Sequence, residues 1–412
     1  MSGCDAVPSP KPSGLSIVVL GYIVRCPIGG MAWHHLQYVL GLAQMGHEVL
    51  FLEDSGDDPW SCYDPRSGEN GTDPGYGLEF IRHAFDRVGL AGRWAYNDRF
   101  AGCWHGPAAT SAESFCADAQ LLLNLSGANS LHGYLSDVPA RAYLDTDPLF
   151  TQIRILEDPD RRRLVDAHNA FFSFGENISS ADCSVPDDGF DWQPTRQPVC
   201  LQAWPVSPAP TQGAFTTVMQ WDSYANREYG GQRYGMKSES FGPYLDLPRQ
   251  VGVKLEMALG SATAPRTQLK AHGWRLRDPL EVTRDPWSYQ DYIRSSRAEF
   301  SVAKQGYVVS NSGWFSERSA CYLASGRPVV VQDTGFSTIL PTGTGLFAFS
   351  DPEEAKESLE TIDADYRTQC EAARAIAEDY FEAGQVLEHL IDRAFDQPAP
   401  ARNRQSAGAA DG

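Results

Sequence analysis

Lys304 closes an apolar run, and the loop that follows it reads Asn311, Ser312, Gly313, Trp314, Phe315, Ser316, Glu317, Arg318 before a helical pattern begins. Ser312 or Ser316 is suited to cap that helix. The unpaired N–H groups of a first helical turn, with the helix dipole behind them, form an anion site. Lys304 adds an ammonium on a long stem that reaches phosphate oxygens. The chemistry expected of this stretch is the holding of a phosphate-bearing ligand, although a capped helix beside a surface lysine has the same sequence. The GxxxxGK[ST] loop is absent, so the phosphate is not held in the manner of a P-loop.

A second set of residues is suited to moving protons. His34 and His35 open a helical pattern behind a Gly29-Gly30 turn, and either can serve as a base or as an acceptor hydrogen-bonding group. Asp145, Asp147 and Glu176 follow apolar runs, and in open α/β sheets the residues beyond the carboxyl ends of strands face the ligand. The same aspartates also suit turns and helix caps. His105 is a weaker loop candidate. Trp274 is expected either to stack on a nucleobase or to pack in a core. Trp221 and Tyr224 are candidates to line a cleft.

These residues need a scaffold, and the sequence supplies strand–helix alternation. The β-branched run 15–21 reads as a buried parallel strand, 31–44 as a helix stopped at Gly46, and 49–52 as the next strand. Strands are expected at 121–125, 141–144 and 170–174. The proline-bearing 204–213 is the linker candidate. A second block carries strands at 215–219, 254–259, 274–276, 299–302, 327–332 and 345–349. Helices are expected at 286–296, 315–325 and 352–362, a loop at 229–234, and a long helical region at 366–395. The expected fold is α/β, with two Rossmann-like domains facing each other across a cleft. The boundaries are a disordered 1–14, a first domain 15–208, a second domain 209–365, helices 366–396 that can return to the first domain, and a disordered tail 397–412.

Composition bounds the partners. The chain has 412 residues, is 42% hydrophobic, and carries a formal charge of −19. Nucleic-acid polymers are bound through a basic field, so such a partner is not expected. Nine cysteines, an odd and widely spaced set without a CxxC, point to a reducing cytoplasm rather than to disulfides or zinc. No apolar run approaches the roughly 18 residues of a membrane span, and no membrane partner is expected. Oligomeric state is left open.

Two motifs resemble those of the GT-B glycosyltransferases. Ala324, Gly326, Pro328, Val329 and Val330 match the A-x-G-x-P-V-V that closes the donor site of a large class, and Gly29-Gly30, His34 and Gly46-His47 resemble its GG…H…GH signature. Lys237 is similar to the basic residue that touches the donor diphosphate early in the second domain. The resemblance implies an acceptor-binding first domain and a donor-binding second domain. The implied donor-binding residues are Gly30, Trp221, Lys237, Trp274, Lys304, Ser312, Gly313, Phe315, Ser316, Glu317 and Arg318, with Asp333, Thr334 and Gly335 facing the donor sugar. It also implies transfer of a sugar from a nucleotide donor, UDP-linked, to a hydroxyl of a small soluble acceptor such as a natural product, nucleoside or antibiotic. No metal and no cofactor are implied; Asp145-Thr146-Asp147 has the spelling of a metal motif but lies in the acceptor half. The class's two glutamates fall on Gly313 and Cys321, so Glu317, one turn before Cys321, is expected to replace the ribose carboxylate. Residues 312–316 also resemble the GW-x-S of inverting natural-product enzymes. The tryptophans at 104, 192 and 204 favour an acceptor pocket over one alternative, a UDP-sugar epimerase, and the carboxylates at several strand ends speak against another, a non-catalytic nucleotide-sugar binder.

Overall fold

The computed structural model describes residues 14–56, 60–208, 210 and 212–396. The segments expected to be disordered, 1–14 and 397–412, therefore lie outside the described residues, Gly14 excepted. Ser16–Leu20 is fully buried at Ile17, Val18, Val19 and Leu20. A strand covered on both faces must be apolar at every position, not at alternate ones.

Eight strands form the first sheet, in the order Trp192–Pro194, Ala170–Ser173, Ala140–Asp145, Leu121–Leu125, Ser16–Leu20, Glu48–Asp54, Trp94–Asp98 and Cys103–His105. Its pairings are parallel except at the last edge, where Tyr96 faces His105 in an antiparallel pair. Six parallel strands form the second sheet, in the order Arg275–Arg277, Lys254–Gly260, Ala214–Gln220, Ala298–Ser301, Val329–Gln332 and Leu346–Phe349. In chain order this is 3-2-1-4-5-6, the doubly wound order that opens a crevice between its first and fourth strands.

One buried cluster takes in Ile17, Val19, Phe51, Leu123 and Phe172 of the first sheet and reaches Val329 and Val331 of the second; another, with Phe215, Leu255, Phe300 and Val330, belongs to the second sheet. The sheets are joined through 205–213, where Arg327, 1% exposed, grips the carbonyls of Ser207 and Pro208 and that of Arg294.

Two expected elements differ from those observed, at 229–234 and 315–325. The helical region expected at 366–395 is two helices, Tyr366–Tyr380 and Ala383–Asp396. It breaks because Val199 N donates to Phe381 O and Ala383 N donates to Val199 O, which takes those groups out of the helical ladder. The second of these helices packs on the first helix of the chain, Gly29–Gln44. The loop expected at 229–234 is a hairpin of Arg227–Tyr229 with Gln232–Tyr234, turned by Gly230 and Gly231 at φ of 57° and 79°. The helix after the phosphate loop begins only at Glu317 and ends at Ala324. No described helix is long and apolar enough to cross a membrane.

Candidate active site

A cavity of about 630 Å³ lies between the carboxyl ends of the two sheets. That is within the roughly 300–1,000 Å³ of small-molecule sites. Gly30, His34, Asp147, Tyr224, Lys237, Lys304, Ser316, Glu317 and Arg318 all line it. These residues come from both halves of the chain and from loops on either side of the second sheet's switch point, between Ala214–Gln220 and Ala298–Ser301.

The cleft-facing helix start is Ser316–Arg318. Ser316 is the cap, its Oγ accepting from Arg318 N at 3.2 Å. Arg318 turns inward: its guanidinium donates to Glu299 Oε1 at 2.6 Å, Val218 O at 2.8 Å and Ser301 Oγ at 3.0 Å. Its charge is therefore matched inside the domain by Glu299. Lys304 is also matched, because its Nζ donates to Asp147 Oδ1 and to the Tyr224 hydroxyl, each at 2.8 Å.

Lys237 differs from both. It opens the short helix Lys237–Phe241, is 9% exposed, and its Nζ has no hydrogen-bond partner among the described residues. Burial, and then the positive charge of Arg318, push its pKa down to about 7. The ammonium opens on the cavity, where an anion would pair with it.

His34 faces this ammonium across the cleft. Gln197 Nε2 donates to the carbonyls of His34 and Pro198, so its Oε1 is the atom turned to His34 Nδ1, 2.5 Å away. Nδ1 must then carry the ring proton, and Nε2 keeps its lone pair. Burial holds the His34 pKa below its ordinary value while Glu317 draws it partly back, so the ring is neutral near pH 7. His35, its neighbour, has both nitrogens engaged, Nδ1 donating to Met31 O and Nε2 accepting from Tyr22 N. No proton-transfer capacity is left to His35.

The glycines that precede these histidines are there for close approach. A Cβ on Gly29 would sit 2.3 Å from Asp285 O, and one on Gly30 would meet the Tyr289 ring at 3.2 Å. The helix can thus abut the second domain, to which Trp33 Nε1 also donates, through Pro286 O at 2.6 Å.

Other expected site residues are placed elsewhere. Asp145, 1% exposed, accepts from Asp147 N, Gln152 Nε2 and Ser173 Oγ; it is a buried hub, its pKa raised by burial. Glu176 is paired with Arg196 at 2.5 Å, away from the cavity. Asp147 does line the cavity, but Lys304, Arg154 and the hydroxyls of Tyr224 and Tyr307 surround its carboxylate. Burial alone would raise its pKa; the two cations hold it below the ordinary value.

Trp221 and Trp274 belong to the core, both packing on Phe241, and Trp274 Nε1 donates to Leu245 O. Phe315 packs between Phe336 and Phe381. Ser312, Gly313, Thr334 and Gly335 form a seam with the first domain. Asn177 N donates to Ser312 O, Gly313 N to Thr334 O, and Asn177 Nδ2 to Gly335 O. Gly313 and Gly335 have φ of 77° and 94°, and a Cβ on either would collide with Asn177 or Asn311. Asp333 caps the turn through Gly335 N and Ser337. The tryptophans at 104, 192 and 204 pack on Tyr134, Tyr143 and Trp33, and none lines the cavity. His105 lies on the antiparallel edge strand.

Sequence reasoning did not find Gln197, Tyr22 or Tyr63. Gln197 carries no motif, and its meaning depends on two carbonyls that only the fold brings to it.

No protein-family model matches the sequence, and no curated protein does either. Solved structures do match in shape. AviGT4, described as a glycosyltransferase involved in avilamycin A biosynthesis, shares 14% identity over 92% of this chain and 97% of its own, with a TM-score of 0.54. The fold is GT-B. An alpha-glucosyltransferase in complex with UDP-glucose and DNA shares 10% identity over 92% of this chain and 98% of its own, with a TM-score of 0.55. HepE of Anabaena, in complex with UDP and glucose, shares 12% identity over 92% and 98%, with a TM-score of 0.52. At these identities the likeness establishes the GT-B architecture, two parallel sheets with their carboxyl ends across a cleft.

Proposed function

We propose that this chain is a glycosyltransferase that moves a sugar from a UDP donor to a hydroxyl of a small soluble acceptor in this cleft, without a metal. The observation that carries the reading is that Lys237, an ammonium without a protein counter-ion, and His34, its Nδ1 taken by Gln197, line one cavity from opposite domains. UDP is chosen because two structures of the same fold, the alpha-glucosyltransferase and HepE, hold UDP-glucose, or UDP with glucose.

Lys237 and the first-turn N–H groups that the Ser316 cap leaves free neutralise the leaving diphosphate. Glu317, at the first turn of that helix, accepts from the donor's hydroxyls. His34 Nε2 takes the acceptor's proton as its oxygen bonds to the anomeric carbon. The bond from that carbon to the diphosphate breaks, and its electron pair leaves with the UDP oxygen. Attack opposite the leaving group inverts the anomeric centre. The carboxylates of Asp145-x-Asp147 are already engaged by protein donors, which supports a role for Lys237 in place of a metal. The cysteines described are free thiols, which fits a cytoplasmic enzyme.

The test is turnover of a UDP-sugar panel with released UDP and product anomer both followed. Release of UDP, an inverted product, and a rate unaffected by EDTA are expected. An isomerised UDP-sugar with no transfer would instead identify an epimerase, and a retained anomer would remove His34 from the role of base.

A further inference from the structure

We infer that the acceptor is an uncharged, ring-containing hydroxyl compound, and that phosphorylated sugars and nucleic acids are excluded by the first domain's face of the cleft. The inference rests on the glycosyltransferase reading and specifies its acceptor. The three cations of the cavity, Lys237, Lys304 and Arg318, all come from the second domain. Two of them are already matched by Asp147 and Glu299, and the third is the one left for the donor diphosphate.

The opposite wall includes Tyr22, Cys26, Ile28, Met31, His34 and Tyr63. Its one full charge is that of Asp147, an anion. Arg25 is the cation of the 21–30 loop, and it is turned away from the cavity. Its guanidinium donates to Glu53 Oε1 at 3.2 Å, Ala128 O at 3.0 Å and Asn129 Oδ1 at 3.3 Å, and it is absent from the lining.

The remaining polar atoms are neutral. Burial lifts the Tyr22 hydroxyl and the Cys26 thiol each to about 12. Two tyrosine rings with aliphatic and sulfur side chains between them suit a flat apolar ring. A fixed anion on the acceptor would lose its hydration, while the cations of the cavity are committed to Asp147, Glu299 and the donor diphosphate. The chain's formal charge of −19 adds a repulsive field at longer range.

Two naphthols that differ by one fixed charge test this: 2-naphthol and 6-hydroxynaphthalene-2-sulfonate. Their binding to the full chain is followed by naphthol fluorescence at saturating UDP, so turnover is not needed. The neutral ring is expected to bind about tenfold or more tighter than the sulfonate. Tyr63→Ala should weaken the neutral ring, and Met31→Lys should close or reverse the gap. Equal affinities, tighter binding of the sulfonate, or no binding of either naphthol would overturn the inference. Failure of UDP itself to bind would instead refute the donor reading on which it rests.

Discussion

Gln197 decides which nitrogen of His34 is available. Its amide is fixed by the carbonyls of His34 and Pro198, so it reads as an acceptor toward Nδ1. His34→Ala should lower kcat by about 10²–10⁴-fold, the usual worth of a positioned general base. Gln197→Glu gives the sharper result. A carboxylate at Nδ1 favours the imidazolium and raises the His34 pKa. The base must be unprotonated, so the acid limb of the kcat–pH profile should move to higher pH, and a profile unmoved by Gln197→Glu would show that the pair does not set the base. The sequence indicated a histidine behind two glycines but did not distinguish His34 from His35. The two differ in what their nitrogens already bond to, and those partners, Tyr22 N and Gln197, are set by tertiary structure. Asp145 and Glu176 were legible as strand-end carboxylates for the same reason that they mislead. The position is right, but the side chains are satisfied by Ser173, Gln152 and Arg196, which no local pattern reveals.

The helix Glu317–Ala324 is the element that turns local sequence into an anion site. Its cap is one hydroxyl, Ser316 Oγ on Arg318 N. Ser316→Ala should cost about 1 kcal/mol of stability, as loss of a serine cap usually does, read from urea unfolding; a change within a few tenths would mean that the cap is replaced by another group. The residues before the cap, Ser312 to Phe315, have another task. They run along the domain seam, with Gly313 in left-handed conformation against Asn177 and Trp314 Nε1 donating to Thr146 O at 3.2 Å. The sequence located this helix to within a few residues because its cap and its apolar face are local signals. It did not separate cap from seam, because the seam's partners lie in the other domain, far away in the chain. Ser16–Leu20, Leu121–Leu125 and Val329–Gln332 were read well for the opposite reason: a fully buried parallel strand is a continuous apolar run that carries its own signature, which Trp94–Asp98, a strand of the first sheet that the sequence did not mark, lacks.

At the scale of the molecule, the two sheets are held face to face by bonds that flank the cavity. Asn177 with Ser312 and Gly335, Thr146 with Trp314, and Asp147 with Lys304 lie on one side, and Trp33 with Pro286 on the other. The two-domain α/β architecture was legible from the alternation of strands and helices and from the order of the GG and A-x-G-x-P-V-V motifs. Which charges remain unspent after the domains close was not, since that depends on every pairing across the cleft. The central claim is that the charge left over, on Lys237, is there for a diphosphate, and calorimetric titration of UDP-glucose in buffers of different ionisation enthalpy tests it most directly. Lys237, its pKa pushed down to about 7, is mostly unprotonated at pH 8. A bound diphosphate raises that pKa, so binding at pH 8 should draw about one proton from the buffer. At pH 6 the lysine already carries its proton, and uptake should vanish. Lys237→Met should abolish the uptake and weaken binding at pH 6. UDP-glucose that fails to bind, or that binds Lys237→Met as tightly and with the same proton uptake as the natural chain, would contradict the account.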